Sequence, residues 1–95
     1  MIIRIVRMTF QVEKMKEFEN LFKEVKPSIE KFDGCKHVSL LKDVNDKKVY
    51  FTYSIWESEH YLNQYRFSSF FKQVWSKTKP LFDAKAEAWS LEEVK

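Results

Sequence analysis

The first residues of the chain are apolar on both sides of an extended backbone. From Ile2 to Phe10, alternate positions put Ile2, Val6, Met8 and Phe10 on one face and Ile3 and Ile5 on the other. This predicts a strand covered on two sides. The same alternation sends Arg4 and Arg7 to opposite faces. The period then changes. Val12, Met15, Phe18, Phe22, Val25, Ile29 and Phe32 recur every three or four residues, with Lys and Glu between them. That spacing predicts an amphipathic helix over Val12–Phe32. Pro27 cannot donate to the carbonyl of Lys23, so a kink or restart is expected there. Asp33 and Gly34 end the element, Gly34 being suited to a left-handed cap.

Two further strands are predicted, Cys35–Asp43 and Lys48–Trp56, joined by a hairpin loop around "VNDKK". In the second, Val49, Phe51, Tyr53 and Ile55 share one face, and Tyr50, Thr52, Ser54 and Trp56 share the other. Ser58 is placed to cap a short helix running to about Tyr65, and Ser68 to cap another from Ser69 to Lys79. Phe67, Phe70, Phe71, Val74 and Trp75 form a helical stripe, and Pro80 stops it. Asp83–Glu92 reads as a last strand, with Ala84, Ala86 and Ala88 on one side and Trp89 and Leu91 on the other.

Strand, helix, strand, strand, helices, strand is the ferredoxin-like βαββαβ order. It predicts an α+β fold over residues 1–95 as a single domain, an antiparallel four-stranded sheet with helices on one face. The opposite sheet face would also be apolar, and bare in a monomer. A second copy related by two-fold symmetry is the simplest cover, so a homodimer built sheet to sheet is expected.

Composition narrows the function classes. The chain has 95 residues, with one Gly and two Pro, so it contains no low-complexity linker. A lone Gly also excludes glycine-rich phosphate loops and dinucleotide fingerprints. One Cys and two His stand at unrelated positions, which gives neither a disulfide nor zinc spacing. Net charge is +3, the signs are mixed, and no basic block suggests nucleic acid. No run approaches a membrane span, and Arg4 and Arg7 interrupt the only leader-like stretch. A cytoplasmic protein is the expectation.

The segments "WESEHYLNQYRFSSFFKQVW", "FDGC" and "EAWSLE", in this element order, resemble the antibiotic biosynthesis monooxygenase domain of the dimeric α/β barrel superfamily. The resemblance implies that fold, a dimer, and cofactor-free oxygenation of quinols or anthrones. Other relatives degrade haem or isomerise a phosphorylated sugar. Haem-degrading relatives carry an Asn on strand one, a Trp ending strand three and a His on the last helix. Here Trp56 matches the Trp, Trp75 stands at the His position and Val6 near the Asn position, so the axial haem ligand is missing. Many members carry a His-x-x-Ser-Pro-His-Phe segment before the last helix. Here it reads "YRFSSFF", with Tyr65 and Phe70 replacing the two His.

The resemblance implies a planar aromatic substrate and no cofactor or metal. Within it, the residues able to serve are aromatic walls and buried donors. Trp56, Trp75 and Phe70 are candidate walls and Tyr53 a candidate substrate-binding donor. Tyr65, Arg66 and His37 are candidate catalytic groups, Arg66 as a fixed positive charge and His37 as a base. Arg4 and Arg7 are further candidates. The period of the Phe70–Trp75 stripe is equally that of a packing helix, and a mid-strand His is commonly structural. A non-catalytic binding domain for a small molecule or haem is the alternative on the same scaffold.

Overall fold

The computed structural model describes all residues from Met1 to Lys95. Its strands are β1 (Ile2–Thr9), β2 (Cys35–Lys42), β3 (Val49–Trp56) and β4 (Glu87–Leu91). Its α-helices are α1 (Met15–Glu30), α2 (Glu59–Arg66) and α3 (Ser69–Thr78). The four strands form one sheet in the order β2-β3-β1-β4, every neighbouring pair antiparallel. The helices lie on one side, which is the ferredoxin-like arrangement the element order predicts.

Local departures from the predicted elements have physical reasons. The first helix is preceded by a 3-10 turn at Val12–Lys14 and then runs unbroken through Pro27. Pro27 and Lys23 both lie on the exposed side of the helix, where a carbonyl that loses its amide partner costs least. Gly34 takes φ +80°, the left-handed cap conformation. A Cβ there would meet the Tyr61 Cβ and Cγ at 2.4 Å, so α2 packs where only Gly leaves room. Ser68 Oγ accepts from the Phe71 amide at 3.1 Å and starts α3, whereas Ser58 stands before α2 without a side-chain cap. The last strand is shorter than its apolar alternation, pairing with β1 only from Glu87.

A bulge between Cys35 and His37 shifts the register of β2. Cys35 pairs with Trp56 and packs on the helix-side core, while His37 pairs with Ile55 and faces the other way. The sequence alternation, which puts Cys35 and His37 on one face, therefore breaks at Lys36.

The core sits between helices and sheet. Phe10 is its centre: it stacks on Phe18 at 4.1 Å and meets Tyr50 edge-on at 5.6 Å. The Tyr50 hydroxyl donates to the Glu19 carboxylate, so its polar tip is satisfied at the edge of the core. The residues directed at the helices are thus Tyr50, Thr52, Ser54 and Trp56, the less apolar face of β3. The more apolar face, with Phe51, Tyr53 and Ile55, lies on the open side of the sheet, beside Ile3 and Ile5 of β1. There Leu41 is 47%, Trp89 42% and Leu91 49% exposed. No helix is long and apolar enough to cross a membrane.

Candidate functional site

The helices do not fill the space above the sheet. A cavity of about 320 Å³ remains, near the small end of ligand sites. Its floor comes from the helix-facing positions of two central strands: Arg4, Val6 and Met8 on β1, and Thr52, Ser54 and Trp56 on β3. Phe18, Phe22 and Val25 of α1, Tyr65 and Arg66 of α2, and Phe71 and Trp75 of α3 close it from above. Ala88 of β4 lines the cavity and is exposed, which puts the mouth at the β4 edge.

The walls are aromatic by construction. Trp56 is fully buried at the end of β3, and Tyr65 stacks on it with ring centroids 5.0 Å apart and planes at 22°. Phe32 and Phe71 hold the Tyr65 ring edge-on at 5.0 and 5.1 Å. Phe71 in turn stacks on Trp75 at 5.9 Å. Three contacts therefore fix the Tyr65 ring. The Trp56 indole N–H donates to Ser54 Oγ at 3.0 Å, so it braces the floor and is not free for a ligand.

The polar groups gather at one end. Arg4 lies directly across from Ser54 on one side and Ser90 on the other, and its guanidinium donates to Ser90 Oγ at 2.9 Å. Arg66, ending α2, donates to Asn63 Oδ1 at 3.4 Å and lies over the Phe67 ring. Burial pushes the Arg4 pKa down, and the neighbouring Arg66 cation pushes it further. Tyr65 lines the same cavity, its hydroxyl makes no protein hydrogen bond, and the Cys35 thiol is its electrostatic neighbour. Burial holds that phenol well above the usual tyrosine range, so it is a donor rather than a base. Met8, four residues along β1 from Arg4, marks the apolar end roughly 13 Å away.

The structure therefore brings together five of the residues singled out in the sequence: Arg4, Trp56, Tyr65, Arg66 and Trp75. It separates the other four from them. Tyr53 and His37 stand on the open sheet face, 5.6 Å apart edge-on, with the His37 ring bonded to Ser39 Oγ at 3.1 Å. Neither lines the cavity. Phe70 packs behind it against Phe32 at 5.6 Å. Arg7 is also on the open face, paired with Glu87 at 3.1 Å. His60 is exposed on α2. Thr52, Ser54 and Thr78 are cavity residues that sequence reasoning passed over. Thr52 and Ser54 were signalled by two hydroxyls sharing a strand face with Tyr50 and Trp56. No group of three or more His, Cys, Asp or Glu side chains converges as a metal site.

Residues 1–75 match the family model described as antibiotic biosynthesis monooxygenase. Solved structures share the fold across nearly the whole chain. A conserved protein of Methanosarcina mazei Go1 aligns at 23% identity and TM-score 0.91, over 98% of this chain and 93% of that one. A protein described as an antibiotic biosynthesis monooxygenase aligns at 14% identity and TM-score 0.92 over the full length of both. Rv0793 of Mycobacterium tuberculosis aligns at 14% identity and TM-score 0.89, over 99% and 95%. None of the curated proteins matches the chain.

Proposed function

Because the chain belongs to the antibiotic biosynthesis monooxygenase family, we propose that it is a monooxygenase acting without a cofactor on a small planar aromatic, of quinol or anthrone type. The observation that carries this reading is an aromatic-walled cavity with two cations, Arg4 and Arg66, in its lining. Such a substrate supplies its own electrons. For an anthrone, the ring CH2 becomes C=O while dioxygen gives one atom to the product and one to water. The four electrons come from the substrate, and no external reductant is needed.

Tyr65, backed by the buried Trp56, forms one wall and Phe71 and Trp75 another, holding the ring plane. Tyr65 donates to the oxygen on which charge develops, and Arg66 supplies a fixed positive charge at that end. The lining contains no Asp, Glu or His. The substrate's proton therefore passes to water at the mouth, its own pKa lowered by the nearby cations, rather than to a protein base. His37 and Tyr53, on the other face, take no part.

The open sheet face is assigned to a second copy. Trp89, Leu91 and Leu41 present large apolar side chains there, beside Ile5, Phe51 and Ile55. A two-fold partner would meet like with like.

The test is oxygen uptake by purified protein with a panel of hydroquinones and anthrones, with product carbonyls identified by mass spectrometry. Oxygen consumed in equal proportion to product supports the reading, and no uptake with any member overturns it. The cavity's lack of a proton acceptor favours one second reading, a binding domain that holds an aromatic without oxidising it. Tight binding without oxygen uptake would select that alternative.

A further inference from the structure

Twelve of the 17 basic side chains make no ion pair, and Arg4 and Arg66 are the two of these that line the cavity. Five ion pairs lie on the surface, and every one joins a Lys or Arg to a carboxylate: Arg7 to Glu87, Lys14 to Glu17, Lys36 to Glu57, Lys42 to Glu19 and Lys48 to Asp83. Arg4 and Arg66 have none. Their acceptors are neutral, the Ser90 hydroxyl and the Asn63 amide oxygen. Both are half-buried, both line the same cavity, and the Arg66 charge is felt at Arg4. Two like charges brought together without a counter-ion cost free energy, and an anion between them removes that cost.

The contrast within β1 sharpens the point. Arg4 and Arg7 are three residues apart on one strand and face opposite ways. On the open face Arg7 meets Glu87 directly across the β1–β4 ladder. On the cavity face the residue opposite Arg4 is Ser90, which orients a guanidinium without neutralising it. A guanidinium so held keeps donors for a planar oxyanion, which it takes through paired N–H groups. Beyond this pair the lining is mostly apolar, Met8 and Phe22 included.

We propose that Arg4 and Arg66 form a subsite for a carboxylate carried on the aromatic substrate, so that the protein selects aromatic acids over their neutral analogues. This rests on the cavity being the substrate site, as in the proposed oxygenase reading, and adds the class of substrate. The carboxylate sits at the Arg4–Arg66 end, the ring lies against the aromatic walls, and the far edge reaches the apolar end. Arg4 becomes a specificity residue, and Arg66 serves both the carboxylate and the charge developing beside it.

The experiment is anaerobic binding of 2-naphthoate and of its neutral isostere 2-naphthamide to the intact protein, read by calorimetry and by Trp fluorescence. The acid is expected to bind about tenfold or more tightly than the amide, as for a charge-assisted hydrogen-bonded pair. Added salt should weaken the acid and leave the amide unchanged. R4Q and R66Q should each lose most of that preference, R4K and R66K should keep part of it, and R7Q, on the other face, should keep all of it. Equal affinities for acid and amide, no binding of either, or a preference that survives both R4Q and R66Q overturns the subsite. The wild-type comparison and its salt dependence need no variant, so a variant that fails to fold does not blunt the test. Oxygen uptake is read separately, with 2,5-dihydroxybenzoate and its amide. Uptake without an acid preference removes the subsite alone, and an acid preference without uptake removes the oxygenase reading alone.

Discussion

Tyr65 stacks on Trp56 at 5.0 Å, and the two belong to different layers, one to α2 and the other to the end of β3. The contact joins the helix carrying Arg66 to the strand carrying Ser54, and so sets the distance between roof and floor at the polar end. The two rings have different duties. Trp56 is sealed, its N–H spent on Ser54, whereas the Tyr65 hydroxyl is spent on nothing in the protein.

Tyr65→Phe therefore separates chemistry from folding. The ring contacts with Trp56, Phe32 and Phe71 survive, and no protein hydrogen bond is lost. Stability should change by no more than about 0.5 kcal/mol. If Tyr65 donates to the reacting oxygen, the turnover rate should fall about 100-fold, the scale of one oxyanion donor. Thermal melts and oxygen uptake on the same preparation check both halves. A normal rate in the variant removes Tyr65 from the chemistry.

The pH profile of turnover should belong to the substrate. Burial raises the Tyr65 pKa, with the Cys35 thiol as a smaller electrostatic contribution. The hydroxyl is protonated below its pKa, so raising that value keeps it a donor throughout about pH 6–9 and beyond the ordinary tyrosine value near 10. Arg4 is shifted down, yet from the high value of a guanidinium, and stays cationic over the same range. No cavity group then changes charge, and the rate should rise with pH as the bound phenol or anthrone ionises. Substrates of different acidity should move the midpoint in step with their own pKa. A midpoint fixed near 6.5 for all substrates would instead mark a histidine and contradict the placement of His37 on the far face.

How far this was legible in the sequence depended on the kind of signal. The strands and helices followed from period alone, because burial of one face repeats with the geometry of each element. The faces of β3 were legible as sets but not as sides. The more apolar set, Phe51, Tyr53 and Ile55, looks outward, and the set with two hydroxyls lines the cavity. A hydropathy rule reads that pair backwards whenever a sheet is apolar on both faces. His37 and Cys35 were put on one face because a bulge leaves no mark in an alternation count. Arg4 was a mere candidate, since nothing local says that the residue across the ladder is Ser90 rather than a carboxylate.

Gly34 gives a prediction about how the site is held. It occupies φ +80° between α1 and β2, its carbonyl accepts from the Glu57 amide at 2.8 Å, and Tyr61 fills the space where a side chain would be. Gly34→Ala meets both a left-handed backbone and an overlap with the Tyr61 Cβ, which is fixed to the helix backbone and cannot swing away. The cost should be about 2–4 kcal/mol, from backbone strain and overpacking together. For a chain of this size that corresponds to a fall of roughly 10–25 °C in melting temperature. Because α2 must shift, ligand affinity should drop along with stability. A melt within a few degrees of wild type would show that the loop relaxes without α2.

The proposed pairing of sheets makes the last prediction, and it can be read from mass alone. Trp89 lies across from Ile5, and Ile5 across from Tyr53, so one row of three strands carries large apolar groups on the open face. Sheets that stack on such rows bury them about 10 Å apart, and a stable pair needs roughly 1,200–2,000 Å² of total buried surface. The wild type should elute with light scattering at twice the 11.6 kDa chain mass. Trp89→Lys puts a charge into the proposed sheet-to-sheet seam, and should give the single-chain mass at micromolar concentration. Trp89 is 42% exposed in the single chain and makes no part of the helix-side core, so the monomer should still fold and show the same helical circular dichroism. A wild type that runs at 11.6 kDa leaves the open face without the partner assigned to it.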